Sequence, residues 1–120
     1  MKLVVEEPES AALEAFMGGT DKVASSRIAY VEVAAAVARG APDRDPLAAA
    51  EALTAQLVLV DVTPPLLRRA AALARPPLRA FDAIHLASAL LVDADEMLVY
   101  DRRLAAAAQA EGLAVVAPGT

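Results

Sequence analysis

One apolar helical segment and the strand after it constrain this chain more than any other feature. Residues 79–91 are almost wholly apolar and carry one carboxylate, Asp82, near their start. Residues 97–100 have the composition of a short buried strand, and Asp101 follows just before a predicted helix over 103–111. An ionised carboxylate among alanine, isoleucine and leucine side chains is costly unless it is paired, capped or bound to a metal. Both aspartates therefore need an explanation, and α/β folds bind ligands where parallel strands end.

Short β-prone runs alternate with helical patterns along the rest of the chain. We predict strands at 22–25, 57–62, 97–100 and 114–117, and helices at 8–17, 27–39, 43–56, 64–74, 79–91 and 103–111. The N-cap of the helix at 27–39 is expected to be Ser25 or Ser26, and Thr63 is expected to cap the helix at 64–74. The alternation predicts a three-layer α/β/α sandwich with a parallel sheet, built as a single domain over residues 1–120.

Composition narrows the class of protein. The chain is 58% hydrophobic with a mean hydropathy of +0.45, but alanine inflates both values and no apolar run reaches the length of a membrane span. We therefore expect a soluble cytoplasmic protein without a membrane segment. The absence of cysteine excludes disulfides, thiolate metal sites and cysteine catalysis. A net charge of -5 argues against gripping nucleic acid by overall charge. A local basic patch is still open, because several arginines surround the two aspartates: Arg68, Arg69, Arg75, Arg79, Arg102 and Arg103.

Three carboxylates in apolar settings form the candidate site. Glu32 lies within the predicted helix at 27–39 and joins Asp82 and Asp101, and such a set suits a hard divalent cation, Mg²⁺ or Mn²⁺. Each acid also has a purely structural interpretation. Asp82 could cap its helix or pair with Arg79, Asp101 could cap the last helix, and Glu32 could pair with a nearby arginine.

Neighbouring polar residues have simpler interpretations. His85 shares a helix face with Asp82, but a lone histidine on an apolar helix is usually a core residue, so we do not predict it to be catalytic. Asp61 is interpreted as a carboxylate at a strand end or in a loop. The pair Arg102 and Arg103 is either solvated or contacts phosphate beside the metal.

These residues resemble a known family. Residues 81–87 (FDAIHLA), residues 99–104 (VYDRRL) and Glu32 within YVEV are similar to the PIN domain of the VapC type, the ribonuclease toxin of VapBC toxin–antitoxin modules. The resemblance implies a PIN-like α/β fold and a Mg²⁺- or Mn²⁺-dependent endoribonuclease that hydrolyses RNA phosphodiesters. It makes Asp82 and Asp101 metal ligands, with Glu32 completing the acidic pocket. It also implies a VapB-like antitoxin and a second copy of the chain as partners.

The chain departs from that family at its start. Family members usually open with a short apolar strand that ends in an Asp ligand, whereas here residues 1–5 align with the helix that follows that strand. We therefore expect the first strand to be missing, because the start is assigned too late. The alternative is that residues 2–5 form a replacement strand between two others and that Glu6 replaces the lost ligand.

Two rival functions remain at this stage. One is a catalytically impaired PIN scaffold that only binds a partner, as the missing Asp suggests. The other is a receiver-type phosphoacceptor domain, in which residues 58–61 would form the phosphoacceptor strand. Such a domain also needs a lysine at the end of its last strand, and residues 114–118 contain none.

Overall fold

Strands and helices alternate in the computed structural model, which describes residues 2–4 and 23–117. The strands are β1 (Lys2–Val4), β2 (Val23–Ser26), β3 (Val58–Val60), β4 (Glu96–Leu98) and β5 (Ala114–Val116). The helices of this described part are α1 (Ala29–Gly40), α2 (Pro46–Thr54), α3 (Pro64–Leu73), α4 (Ala80–Leu91) and α5 (Arg102–Ala110). None of these helices has both the length and the apolar character that crossing a bilayer requires. The predicted helix at 8–17 lies outside the described residues.

The five strands form one parallel sheet in the order β3-β2-β1-β4-β5. This arrangement confirms the predicted α/β class with a parallel sheet. The expectation that the first strand is missing is wrong, because Lys2–Val4 occupies the middle of the sheet and Leu3 is in register with both Ala24 and Met97. A middle strand supplies hydrogen-bond partners to both neighbours, whose N–H and C=O groups would otherwise be buried unpaired. The alternative expectation of a replacement strand is therefore correct for Lys2–Val4.

Alternate residues of the strands face opposite sides of the sheet. Ala24 and Met97 are fully buried on one side, where they belong to a core with the inner residues of α3, α4 and α5. Val23 and Leu98 are buried together on the other side, against Leu57 and Val116. The centre of the sheet is therefore buried on both faces, as is usual for a parallel sheet whose connecting helices cover it.

Helices α1 and α2 pack against each other in a separate apolar cluster. Val33 and Val37 on α1 are buried against Ala50 and Leu53 on α2, a spacing that keeps them on one helix face. Close packing of the two helices holds the first turn of α1 at a fixed place beside the sheet.

The caps differ in part from those expected. Thr63 caps α3 as predicted, its Oγ1 accepting a hydrogen bond from the Leu66 N–H at 3.3 Å. The predicted serine cap of α1 is wrong, because Ser25 and Ser26 are buried in β2 and Ile28 occupies the N-cap position without a side-chain bond. The Ser26 Oγ instead accepts a hydrogen bond from the N–H of the N-cap residue Ile28 at 3.3 Å, before α1 begins.

Candidate acidic site at the carboxyl edge of the sheet

The three predicted acids lie where helices begin. Glu32 is in the first turn of α1 after β2, Asp101 is the N-cap of α5 after β4, and Asp82 is in the first turn of α4. Helices that connect parallel strands run opposite to those strands, so their N-termini lie at the carboxyl edge of the sheet. Glu32 and Asp101 follow the ends of β2 and β4 directly and so lie at this edge, and the bond between Glu32 and His85 brings α4, which carries Asp82, to the same edge.

Glu32 makes a short hydrogen bond with His85. The Glu32 Oε1 lies 2.6 Å from the His85 Nε2 and joins α1 to α4 across 53 positions of the chain. The His85 side chain is 2% exposed and the Glu32 side chain 32%, so the bond links the core to the surface. Because His85 is three positions after Asp82 on the same helix, this bond brings Glu32 to within one helical turn of the Asp82 position.

His85 uses only one of its two ring nitrogens in this bond. Its Nδ1 is buried and has no hydrogen-bond partner within the described residues. A proton on Nε2 would be donated to Glu32, because an ionised carboxylate oxygen can only accept. The prediction of a core histidine is correct for burial. An arginine was the structural alternative considered as a partner for Glu32, and the structure pairs Glu32 with His85 instead.

Asp101 caps α5. Its Oδ1 accepts hydrogen bonds from the N–H groups of Arg103 at 2.7 Å and Leu104 at 3.2 Å. The capping interpretation is therefore confirmed. Both bonds use the same oxygen, and the Asp101 Oδ2 has no hydrogen-bond partner within the described part of the chain.

Asp82 has neither of the structural partners considered for it. Arg79 itself occupies the N-cap position of α4, without a side-chain cap, and Asp82 makes no hydrogen bond or ion pair with any described residue. The carboxylate is half-buried in the first turn, where the positive end of the helix dipole stabilises a negative charge. Within the described residues it therefore lacks a structural partner that would account for an acid at this position.

By chemistry these carboxylates suit a divalent cation, but the described residues do not complete a metal site. No group of three or more His, Asp or Glu side chains in residues 2–4 and 23–117 could hold a metal ion. Glu6, the substitute ligand considered above, lies outside the described residues. The metal-ligand assignment of Glu32, Asp82 and Asp101 therefore stays a prediction.

Other side chains at this edge have identifiable roles. Asp61 lies in the loop after β3, as predicted, and its Oδ1 is 2.6 Å from the Arg27 Nε in an exposed ion pair. Two large apolar side chains sit beside the acids in the same helical turns: Val31 next to Glu32 is 62% exposed, and Phe81 next to Asp82 is 52% exposed.

Comparison with known proteins places this arrangement in a wider group. The family model of the PIN domain matches residues 1–116. Ribonuclease VapC46 of Mycobacterium tuberculosis (strain ATCC 25618 / H37Rv) is 39% identical over 121 residues, covering 98% of this chain and 91% of that protein. Ribonuclease VapC45 of strain CDC 1551 / Oshkosh is 40% identical over 126 residues, covering 96% of this chain and 88% of that protein. Ribonuclease VapC35 of the same strain is 35% identical, with 99% and 91% covered.

Proposed function

Since the chain belongs to the PIN-domain family, in its VapC branch, we propose that it is a metal-dependent endoribonuclease toxin of a toxin–antitoxin module. The observation that supports this most directly is that Glu32, Asp82 and Asp101 each lie at the start of a helix, with α1 and α4 joined by the bond between Glu32 and His85. The relatives named above are named as ribonucleases, and this chain covers 91%, 88% and 91% of their lengths.

In this proposal Asp82 and Asp101 hold Mg²⁺ or Mn²⁺, and Glu32 completes the pocket directly or through water. A bound divalent cation supplies an activated water and neutralises charge on the scissile phosphate. The chain's own contribution is to hold its carboxylates in place. The α5 cap fixes Asp101 through two backbone N–H groups, and the bond to His85 fixes Glu32.

The test of the site is RNA cleavage in Mn²⁺ by matched charge-neutralising variants. Asp82→Asn and Asp101→Asn should abolish cleavage, since each removes one charged ligand while keeping the shape of the side chain. Asp93→Asn is the control, because Asp93 lies in the turn after α4 at the opposite edge and has a φ of 51°, which asparagine tolerates. Unchanged cleavage in the Asp82 or Asp101 variant would show that the site is elsewhere.

Metal binding can be measured without RNA. A cation that binds only the folded chain stabilises it by RT ln(1 + [L]/Kd), about 2.7 kcal/mol at one hundred times Kd. Millimolar Mn²⁺ should therefore raise the melting temperature of the parent protein and should leave that of Asp82→Asn unchanged. Equal shifts in both proteins would mean that the cation binds at another place.

A catalytically impaired scaffold is the second candidate. It is favoured by one finding, that the described residues alone do not gather three metal-ligating side chains. Such a scaffold would bind its partner normally and would show neither Mn²⁺-dependent cleavage nor a Mn²⁺-dependent rise in melting temperature.

A VapB-like antitoxin and a second copy of the chain are the proposed protein partners. The exposed Val31 and Phe81 beside Glu32 and Asp82 support a partner that covers the acids, because a covering segment would bury both apolar side chains. An antitoxin peptide that carries an arginine should bind the parent protein and inhibit cleavage. Phe81→Ser should weaken that binding. The proposed dimer is tested separately by light scattering of the free protein, which should give the mass of two chains.

A further inference from the structure

A groove with an apolar floor and a basic rim lies next to the acidic edge. It measures about 560 Å³ and runs between the segment that joins α3 to α4 and the outer side of α5. Its lining comprises the rim arginines Arg75, Arg102 and Arg103 and the floor residues Leu73, Pro76, Pro77, Leu78, Ala106 and Ala107.

The groove is lined by residues that are close in sequence to Asp101 and Asp82 of the predicted metal site. On one side, Arg102 and Arg103 directly follow Asp101 at the start of α5. On the other side, Leu78 precedes Asp82 by four positions. One end of the groove therefore lies next to Asp101, and the small side chains of Ala106 and Ala107 continue it along the next turn of α5.

The three rim arginines are exposed. None of them forms an ion pair or side-chain hydrogen bond with another residue of the described part of the chain. Three guanidinium groups around one groove are a local concentration of positive charge in a chain whose net charge is -5. Their charge is complementary to an anion, and the planar fork of arginine matches the oxygens of a phosphate.

We propose that this groove binds a single-stranded segment of RNA next to the scissile phosphodiester. Phosphates contact Arg75, Arg102 and Arg103, and bases lie on the proline and alanine floor or stack on the guanidinium planes. In this proposal the phosphodiester that follows the bound RNA segment lies at Asp101 and Asp82. The proposal rests on the proposed ribonuclease function, and it deepens it by assigning the surface that positions the substrate.

The experiment measures RNA binding separately from cleavage. Affinity for a fluorescent oligouridylate is measured in EDTA at several salt concentrations, and kcat and KM are measured in Mn²⁺. Arg75→Gln, Arg102→Gln and Arg103→Gln should each weaken binding by roughly two- to fivefold. Each should also lower the slope of log affinity against log salt by about 0.7, the value for one lost phosphate contact on a single strand. In cleavage, the effect should appear mainly in KM.

Two kinds of matched variant sharpen the test. Arg69→Gln on α3 removes the same charge from an exposed position outside the groove lining, and it should leave affinity and the salt slope unchanged. Ala106 is exposed on α5, so Ala106→Glu and Ala106→Lys alter the groove without removing core packing. The first should weaken and the second should strengthen RNA binding.

The outcomes separate this proposal from the proposed function. If the parent cleaves RNA but the groove variants match Arg69→Gln in affinity, salt slope and KM, the groove proposal is overturned and the ribonuclease stands. If the parent binds RNA through these arginines but does not cleave it, the groove stands and the activity fails. If polyglutamate of equal charge competes as well as oligouridylate, the groove is a docking surface for an acidic protein and the assignment to RNA is wrong.

Discussion

Replacing Glu32 by alanine should destabilise the protein more than replacing its partner His85 by leucine. A hydrogen bond to a charged group contributes about 1.5–3 kcal/mol, and a buried polar group left without a partner costs about 1–3 kcal/mol. Glu32→Ala removes the 2.6 Å bond and leaves the histidine, 2% exposed, with two unpartnered nitrogens. We expect it to lower the free energy of unfolding by about 1.5–3 kcal/mol.

His85→Leu removes the same bond, but it also removes a buried polar atom that destabilises the folded state. The buried Nδ1, which has no partner among the described residues, disappears with the imidazole, and leucine fills a similar volume. The carboxylate left behind is 32% exposed and can be hydrated. The stability lost with the hydrogen bond is nearly offset by the stability gained when the unpartnered nitrogen is removed. The free energy of unfolding of this variant should therefore be within about 1 kcal/mol of that of the parent.

The assay is urea unfolding followed by circular dichroism, in EDTA so that no cation contributes. Glu32 is also in the first turn of α1, where a negative charge interacts favourably with the helix dipole. A double-mutant cycle removes this contribution, because the dipole term is lost equally in both backgrounds. The coupling energy between Glu32 and His85 should be about 1.5–3 kcal/mol. A coupling energy below about 0.5 kcal/mol, which is within the error of additivity, would show that the two side chains do not stabilise each other through this bond.

Three further predictions follow from single residues. Asp101→Ala should lower the free energy of unfolding by about 0.5–2 kcal/mol while Asp101→Asn leaves it nearly unchanged, since asparagine also caps; equal unfolding curves in urea would contradict this. Leu3→Pro should leave little folded protein by circular dichroism, because it removes an N–H from the middle strand, whereas Leu3→Val should remain folded. Asp61→Asn should cost at most about 1 kcal/mol in urea unfolding, since its ion pair with Arg27 is exposed, and a larger loss would indicate a hidden role.

The elements of the fold were predictable because their signals are local. Alternating apolar runs gave the α/β class, and the observed bounds of α3, α4 and α5 differ from the predicted ones by one residue at most at each end. Thr63 and Asp101 were recognisable as caps because a cap depends only on the next three residues. The serine cap of α1 failed because burial of Ser25 and Ser26 in the sheet overrode the local preference.

The middle strand and the histidine bond were not predictable for a different physical reason. Three residues carry too little pattern to distinguish a strand from part of a helix, and Lys2–Val4 is a strand because two neighbours pair with it. The bond of His85 to Glu32 spans 53 positions, so no spacing within one helix could indicate it. Both features are produced by tertiary structure, and only a folded chain reveals them.

The structural and the functional interpretations of these acids are compatible, because a carboxylate has two oxygens. Asp101 uses Oδ1 for both capping bonds and Glu32 uses Oε1 for His85, so in each acid the second oxygen has no partner within the described residues. Bonds to the first oxygen fix the orientation of the second before any ligand arrives. An acid held this way loses little conformational freedom on binding, which is how preorganised sites gain affinity. The capping bonds of Asp101 are therefore an argument for its proposed role in metal binding as much as for its role in α5.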